Sequence, residues 1–391
     1  MFKKLVSFIL VAVMVLSFTA CGTKSDTKDP AETTPKATTT PKAEDTTKLA
    51  AVAKDKIKVA VIHIGDPAAG AGYTYAHDLG IVAMQKELGL NDNQIIRKNN
   101  VDDTDAVAIR TAMEECIEEG ANIIFGTSWG YMDTMEELAK ENPKVIFSHC
   151  SGYKSNGSNF NNYFGRIYQA RYLAGIAAGL KTKSNKIGYV AAMDVKNSEV
   201  TGGINAFALG IESVNPDAKV YVKVTNTWYD PTLEQQAAEA LLDEGCDVIA
   251  QHADTTAPQL AAQAKGVWGC GYNSDMTKDA PKAHLTAPIW NWGAYYTTAV
   301  KSVIEGSWTG ENYFGGLAEG LVDVSPLSEN CADGTQAKID AAKKSMLDGF
   351  KVFEGDIVDN QGNQITKDGE SLADGDITGK MNWYYKTVVV K

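Results

Sequence analysis

The feature that most constrains the fold is a repeated alternation of short apolar strand patterns with amphipathic helical patterns. Helical spacing is clear in TYAHDLGIVAMQKELG (74–89) and DPTLEQQAAEALLDEG (230–245). Val- and Ile-rich runs stand between such helices, for example KIKVAVIHI (56–64), ANIIFGTS (121–128), KVIFSHCSG (144–152), KIGYVAAM (186–193) and CDVIAQHAD (246–254). Strands of this kind are typical of right-handed βαβ units whose parallel sheet is covered by helices on both faces. The sequence therefore predicts an α/β fold.

An internal similarity favours two lobes over one barrel. EEGANIIFGTS (118–128) and DEGCDVIAQHA (243–253) share an acidic helix end, a glycine suited to a helix C-cap and a buried strand. The second begins at 243 and the first at 118, a spacing of 125 residues. The part of the chain with this patterning is also longer than one typical core. We expect two α/β lobes in tandem.

The amino terminus predicts export and attachment to a membrane. Lys3 and Lys4 precede an apolar run over 5–18, which is short for a bilayer span but typical of a secretory signal. Thr19 and Ala20 then precede Cys21 in a pattern that resembles a bacterial lipobox. The sequence predicts a signal peptide over 1–20, a lipidated Cys21 and a disordered Thr-, Lys- and Pro-rich tether over 21–54. An ordinary secreted protein cleaved near Ala20 is the alternative.

Charge and cysteine spacing exclude several classes of function. The net charge of −12 becomes −14 when Lys3 and Lys4 are removed with the signal. An acidic chain without a basic cluster is not suited to nucleic acid or to an anionic membrane surface. The cysteines form no CxxC pair, and no P-loop, HExxH or EF-hand pattern occurs. The sequence therefore predicts no metal and no cofactor.

Aromatic residues stand beside amides and carboxylates in the loops that follow the predicted strands. In open parallel sheets, ligands bind beyond the carboxyl ends of the strands. Flat rings edged by hydrogen-bonding groups suit a planar, polar, uncharged ring system. A heteroaromatic base fits this description, and a sugar stacked on tryptophan remains open. The candidate binding residues in these loops are Trp129, Tyr131, Trp228, Asp254, Trp290 and Trp292.

Nine motifs together resemble one family, the basic membrane protein (BMP) family of substrate-binding lipoproteins of ABC transporters. They include GYTYAHDLG, GTSWGYMD, TWYDPTLE, GCDVIAQHAD, GYNSDM and IWNWGAYY, and the resemblance runs from 56 to 317. It implies a periplasmic-binding-protein fold of type I, in which two doubly wound parallel-sheet lobes are joined by a three-crossing hinge. It also implies purine nucleosides or nucleobases as ligands, although riboflavin-binding members keep that ligand class open.

The resemblance further implies a domain organisation and a set of partners. The expected N-terminal lobe comprises 55–155 and 290–318, and the expected C-terminal lobe comprises 156–289 and 319–391. A non-enzymatic monomer, anchored by lipid to the outer face of the cytoplasmic membrane, would deliver its ligand to the permease subunits of an ABC importer. A ligand sensor that presents the same closed lobes to a receptor is the alternative.

Residues matched to the family's motifs favour a bare base over a nucleoside. Tyr73 falls on the family's base-stacking aromatic position, and Asp275 follows the family pattern. Asn273 stands where nucleoside-binding members commonly have an Asp that holds the ribose, and the Lys expected near Trp290 is missing. An amide is a weaker acceptor for a cis-diol than a carboxylate. The resemblance therefore implies an adenine-like purine base.

Two other interpretations of these residues stay open. GTSWG matches the G-x-S-x-G nucleophile elbow, so Ser128 with Asp230 and either His252 or His284 would give a secreted serine hydrolase. Simple packing would also explain some candidates: Tyr73 against its own lobe, and Trp228 and Trp292 between the lobes.

Overall fold

The computed structural model describes residues 49–391, so the predicted signal peptide, Cys21 and most of the tether lie outside the described residues. The strands of this part are β1 Val59–Ile62, β2 Ile95–Lys98, β3 Ile123–Gly126, β4 Ile146–Cys150, β5 Phe160–Gly165, β6 Lys186–Ala191, β7 Lys219–Val224, β8 Val248–His252, β9 Trp268–Cys270, β10 His284–Thr286, β11 Pro288–Trp290, β12 Tyr313–Gly315, β13 Val322–Val324, β14 Ile357–Val358, β15 Gln364–Thr366 and β16 Val388–Val390.

Helices alternate with these strands over most of the described chain. Their termini follow ordinary capping rules: Asp230, for instance, accepts from the backbone amides of Thr232 and Leu233. The α-helices are α1 Gly72–Leu88, α2 Ala106–Glu118, α3 Met132–Glu141, α4 Ile167–Lys181, α5 Ser198–Glu212, α6 Pro231–Asp243, α7 Ala257–Lys265, α8 Trp292–Glu305, α9 Thr335–Leu347 and α10 Asp374–Gly379.

The first lobe is built on a six-stranded sheet with the order β12-β5-β4-β3-β1-β2, and every pair in it is parallel. Its central strands are apolar on both faces because helices cover both sides; all four residues of β1 and all four of β3 are buried. One of its two neighbouring cores contains Val59 and Phe125, and the other contains Ala60 and Phe147.

The second lobe repeats this plan. Its six-stranded parallel sheet has the order β10-β9-β8-β6-β7-β16. The two similar segments, 118–128 and 243–253, contain β3 and β8, which are central strands of the two sheets. The internal similarity therefore corresponds to equivalent helix-strand units of the two lobes. The predicted fold class, two doubly wound parallel-sheet lobes, is confirmed.

Three chain segments connect the lobes. The chain leaves the first sheet after β5, returns through β11, and leaves again between β12 and β13. Strands β11 and β13 pair antiparallel, Trp290 opposite Val322, and form a short two-stranded hinge.

The predicted boundaries differ from the observed sheets at two places. Phe160–Gly165, expected in the C-terminal lobe, pairs with β4 and β12 and so belongs to the first sheet. The last residues of the predicted tether are packed and not free, because Leu49 and Val52 lie against the core and the Val52 amide donates to Val303 at 3.2 Å. Apolar side chains at 49 and 52 within a polar tract are what bring this segment onto the lobe.

Candidate functional site

A cleft of about 1230 Å³ lies between the two sheets, where the carboxyl ends of their strands face each other. The first lobe lines it with the loops after β1, β3 and β4, and the second lobe with the loops after β6, β7 and β8. The hinge end of the cleft is closed by Phe164 and Phe314, which lie on the neighbouring strands β5 and β12. Side chains from both lobes therefore reach one ligand-sized volume.

Aromatic rings form the walls of this cleft. Trp129 follows β3 and is 56% exposed, with its ring centroid 5.7 Å from that of Tyr153. Trp228 enters from the second lobe and meets the His252 ring edge to face at 6.0 Å. Large apolar rings that remain exposed at the mouth of a cleft are suited to cover a flat ligand.

Tyr73 is held at the base of the cleft by its hydroxyl. The hydroxyl donates to the Thr127 carbonyl at 2.7 Å and lies 3.4 Å from Cys150 Sγ. Burial raises the pKa of Tyr73 well above its ordinary value, so the phenol stays neutral. The ring stands edge-on to the buried His77 at 4.4 Å, which fixes its orientation.

Two acidic side chains of the second lobe face the cleft. Glu199 lies in the first turn of α5, and Asp254 follows β8. Burial raises the pKa of each carboxyl to about 7, and nearby Arg171 partly opposes this rise. Asn273 Nδ2 donates to Asp254 Oδ1 at 2.8 Å and so orients that carboxylate.

A buried arginine supplies positive charge behind these carboxyls. The Arg171 guanidinium lies 3.8 Å from the centroid of the Tyr272 ring, and its Nη1 donates to the Gln251 carbonyl. His252 lies beside them with Nε2 3.7 Å from Glu199 Oε1, and burial keeps its pKa well below the ordinary value. Arg171 is therefore the positive member of this cluster at neutral pH, whereas His252 is uncharged.

Four of the nine residues predicted for the site line the cleft, namely Tyr73, Trp129, Trp228 and Asp254. Asn273 lies directly behind Asp254 and is 1% exposed. Its backbone takes the left-handed conformation with φ 67°, which turns the loop after β9 toward the cleft.

The remaining four predicted residues lie elsewhere. Tyr131 is buried in the first lobe and its hydroxyl donates to Val101 O at 2.7 Å. Asp275 is exposed and accepts from the Thr277 amide at 2.9 Å. Trp290 and Trp292 stack on each other at 4.4 Å, and Trp292 stacks in turn on His77 at 4.4 Å. These tryptophans pack at the hinge, which is the packing alternative considered for Trp292.

Several cleft residues were not predicted from the sequence. Glu199 was missed because an acidic residue in the first turn of a helix is usually explained by the helix dipole. Phe164 and Phe314 lie in strands at the hinge and not in loops after strands, so only the three-dimensional pairing of β5 with β12 brings them together. The remaining cleft side chains include the amides Asn162, Asn197, Asn226 and Asn312.

The residues proposed for a serine hydrolase are not assembled around Ser128. Its Oγ donates to Asp103 Oδ2 at 2.5 Å. His252 Nδ1 lies 3.3 Å from the Tyr189 hydroxyl, His284 Nε2 lies 3.3 Å from Ser325 Oγ, and Asp230 caps α6. The arrangement therefore lacks the serine-histidine contact on which nucleophile activation depends.

Two lobes, a three-crossing hinge and a polar-aromatic cleft define the class of two-lobed solute-binding proteins. Among residues 49–391, no helix is both long and apolar enough to span a bilayer. The sequence model of the Bmp family, described as "ABC transporter substrate-binding protein PnrA-like", matches residues 56–355. The chain belongs to this family, and the predicted family is confirmed. Its family and fold are those of extracytoplasmic solute-binding proteins of ABC importers.

Individual relatives agree with this assignment. The chain is 37% identical to the purine-binding protein BAB2_0673 of Brucella abortus over 86% of this chain and 93% of the relative. It is 35% identical to a Haloferax volcanii protein, provisionally named as the ABC transporter glucose-binding protein TsgA13, over 78% of this chain and 76% of the relative. An ABC transporter solute-binding protein from Conexibacter woesei shares the fold with a TM-score of 0.64 at 20% identity, covering 75% and 97% of the two chains.

Proposed function

We propose that this protein captures a purine base, adenine or a close relative, and delivers it to an ABC permease. The observation that carries the proposal is the pairing of aromatic rings with two carboxyls in one cleft, of which Asp254 is buried and Glu199 is partly exposed. Trp129 and Tyr73 come from the first lobe, and Glu199 and Asp254 come from the second. The similarity to a purine-binding relative supports the same ligand class.

The chemistry of a purine base matches these groups. Its faces stack on aromatic rings, and its exocyclic amine and ring N–H groups donate hydrogen bonds that carboxylates accept. Its ring nitrogens accept hydrogen bonds, which amides such as Asn162 and Asn226 can donate. A neutral ligand also avoids placing a further negative charge beside Glu199 and Asp254.

Capture would follow from closure of the two lobes on the ligand. The first lobe stacks on the base, the second lobe binds its edges, and the ligand stabilises the closed arrangement because only that arrangement makes both sets of contacts. The chain then presents a closed two-lobed surface to the permease. No bond is made or broken in this cycle.

A purine nucleoside or riboflavin is the second candidate, because the cleft is large enough for a ligand bigger than a base. About 1230 Å³ is more than a single base needs and lies above the usual range for small-ligand pockets. A sugar, as the name of the Haloferax relative suggests for that protein, would stack on Trp129 or Trp228.

A thermal-shift screen tests the ligand class. The protein is unfolded, washed free of bound ligand, refolded, and heated with adenine, guanine, their nucleosides, riboflavin or glucose. A ligand that binds only the native state raises the unfolding midpoint by mass action. We expect adenine to raise it more than adenosine does; a larger shift with nucleosides would assign the sugar-bearing ligand, and a response to glucose alone would overturn the purine proposal.

We also propose that the chain is anchored through Cys21, where the lipobox-like sequence supports diacylation. Metabolic labelling with a radioactive fatty acid tests this. The wild-type protein should carry label and sediment with membranes, whereas Cys21→Ser should carry none. A Cys331→Ser variant changes a thiol in the folded part and serves as the control, and label retained in Cys21→Ser would refute the anchor.

A further inference from the structure

The carboxyl-terminal segment, residues 356–391, lies beyond the part of the chain that the family model matches. It is nevertheless fixed to the second lobe. Strand β16 adds a parallel edge strand beside β7, and helix α10 packs through the buried Ile377 onto α5. This helix reaches the cleft, where Thr378 and Gly379 form part of the lining.

The same helix is tied to the hinge by a charged pair. Asp374 accepts from Arg166 Nε at 3.0 Å and Nη2 at 2.8 Å, and from the Tyr168 hydroxyl at 2.7 Å. Arg166 is the first residue after β5, where the chain first leaves the first sheet. A guanidinium held by two nitrogens on one carboxylate has a fixed orientation, which a single contact would not impose.

Arg166 also fixes the third crossing between the lobes. Its Nη1 donates to the Phe314 carbonyl at 2.9 Å, its guanidinium lies 5.2 Å from the centroid of the Phe314 ring, and Glu319 is 3.5 Å away. Phe314 itself lines the cleft. The contacts therefore run from α10 through Arg166 to an aromatic wall of the binding site and to the segment that must bend when the lobes open.

We propose that the carboxyl-terminal segment is a retention element, in which Asp374 positions Phe314 through Arg166 and slows escape of the bound ligand. The proposal rests on the proposed function for the identity of the ligand, a base that Phe314 and Thr378 help enclose. Asp374 acts as a positioning residue. Its removal releases the guanidinium from α10, so the third crossing and the Phe314 side chain lose one of their restraints.

The test compares Asp374→Asn with Asp376→Asn. Both changes remove one negative charge from α10, but Asp376 forms its ion pair with Lys380, the residue directly after this helix, and does not line the cleft. We expect Asp374→Asn to speed adenine dissociation, measured by stopped-flow tryptophan fluorescence, roughly three- to tenfold, which is the range for a partly exposed bidentate pair. Asp376→Asn should leave the rate unchanged, and Asp374→Glu should restore most of the wild-type rate.

A second readout does not need a ligand. Amide hydrogen exchange over 311–319 should be at least fivefold faster in Asp374→Asn than in wild type or Asp376→Asn, because the third crossing loses its clamp. If wild type does not bind adenine, the proposed function fails, but the exchange comparison still tests whether Asp374 restrains the third crossing through Arg166. If Asp374→Asn matches Asp376→Asn in both measurements, the retention role is refuted. Should Asp374→Asn fail to fold, Arg166→Gln removes the same pair from its other end.

Discussion

At the scale of single residues, the cleft offers two kinds of contact, aromatic rings and titratable carboxyls. Tyr73 of the first lobe has a neutral ring of fixed orientation, whereas Glu199 and Asp254 of the second lobe are titratable groups. Stacking depends little on pH, whereas hydrogen bonds to these carboxyls depend on it strongly. Substitution of an aromatic residue and a change of pH therefore test the two kinds of contact independently.

Replacing Tyr73 with Ala should weaken adenine binding roughly ten- to hundredfold. A base-aromatic stack contributes about 1–3 kcal/mol by alanine substitution. Tyr73→Phe keeps the ring but loses the bond to Thr127, so it should lose much less affinity. Isothermal titration calorimetry measures both. Tyr75→Ala, which removes a half-buried ring from the same helix outside the cleft, is the control; equal losses at 73 and 75 would contradict stacking by Tyr73.

Adenine binding should weaken as the pH falls from 8 to 6. The pKa of Glu199 and that of Asp254 are each raised to about 7, so these carboxyls are partly protonated near neutrality. N–H donors of the ligand favour the ionised form, so binding should release protons. Calorimetry in buffers of different ionisation enthalpy counts the released protons. Asp275→Asn, outside the cleft, should not change the count, whereas Glu199→Gln should reduce it; proton uptake on binding would reverse the assigned roles.

The folding stability of the ligand-free protein should have the opposite pH dependence, decreasing as the pH rises. Both carboxyls keep protons in the folded state that the unfolded chain releases above about pH 4. Their contribution to stability is therefore most favourable below that pH and is lost as the pH rises through about 7. Thermal midpoints of wild type and Glu199→Gln should agree at low pH, separate as the pH rises from about 4 to about 7 and stay apart above it, with the variant more stable; a constant difference at every pH would contradict the raised pKa.

At the scale of elements, the start of α1 is in close contact with the second lobe. Gly72 has φ 82°, and a Cβ added there would lie 2.4 Å from the Asp254 carbonyl oxygen of the other lobe. Only a glycine therefore permits this contact between the first loop of one lobe and the loop after β8 of the other. The contact lies beside the proposed ligand groups Tyr73 and Asp254.

Gly72→Ala should weaken ligand binding at least tenfold because the closed arrangement would carry a steric clash. Gly70 offers a matched control, since its φ is 77° and nothing lies within 4 Å of an added Cβ. Gly70→Ala introduces only the backbone strain of a positive φ, about 1 kcal/mol, and no steric clash. Titration of both variants with adenine separates strain from clash, and similar affinities for the two would show that close approach at Gly72 is not needed.

The elements themselves were largely predictable, but the hinge and its side chains were not. Helical spacing predicted α1 and α6, and continuous apolar runs predicted the central strands, because local burial sets these patterns. Strand β5, read as part of the second lobe, joins the first sheet through pairing with β4, which its own sequence does not encode. Trp290 and Trp292 were predicted to bind ligand because loop tryptophans look the same in sequence whether they face a cleft or stack on His77.

At the scale of the whole molecule, one apolar core is continuous through the hinge. It includes Val59 of the first sheet and Val248 of the second. The hinge stack carries this continuity: His77 stacks on Trp292, Trp292 stacks on Trp290, and Trp290 Nε1 donates to the Tyr272 hydroxyl of the second lobe at 3.3 Å. The lobes should therefore unfold together and not as independent domains.

Calorimetry of the ligand-free protein should show one transition whose calorimetric and van't Hoff enthalpies agree. Trp292→Ala opens a cavity in the centre of the stack, so it should lower the unfolding free energy by about 3–5 kcal/mol and split the transition in two. Trp308→Ala removes a half-buried ring of the first lobe, whose Nε1 bonds Ser158 and which lies outside the hinge stack, and should lower the midpoint without splitting it. Two transitions in wild type, or one in Trp292→Ala with equal enthalpies, would show that the hinge stack does not couple the lobes.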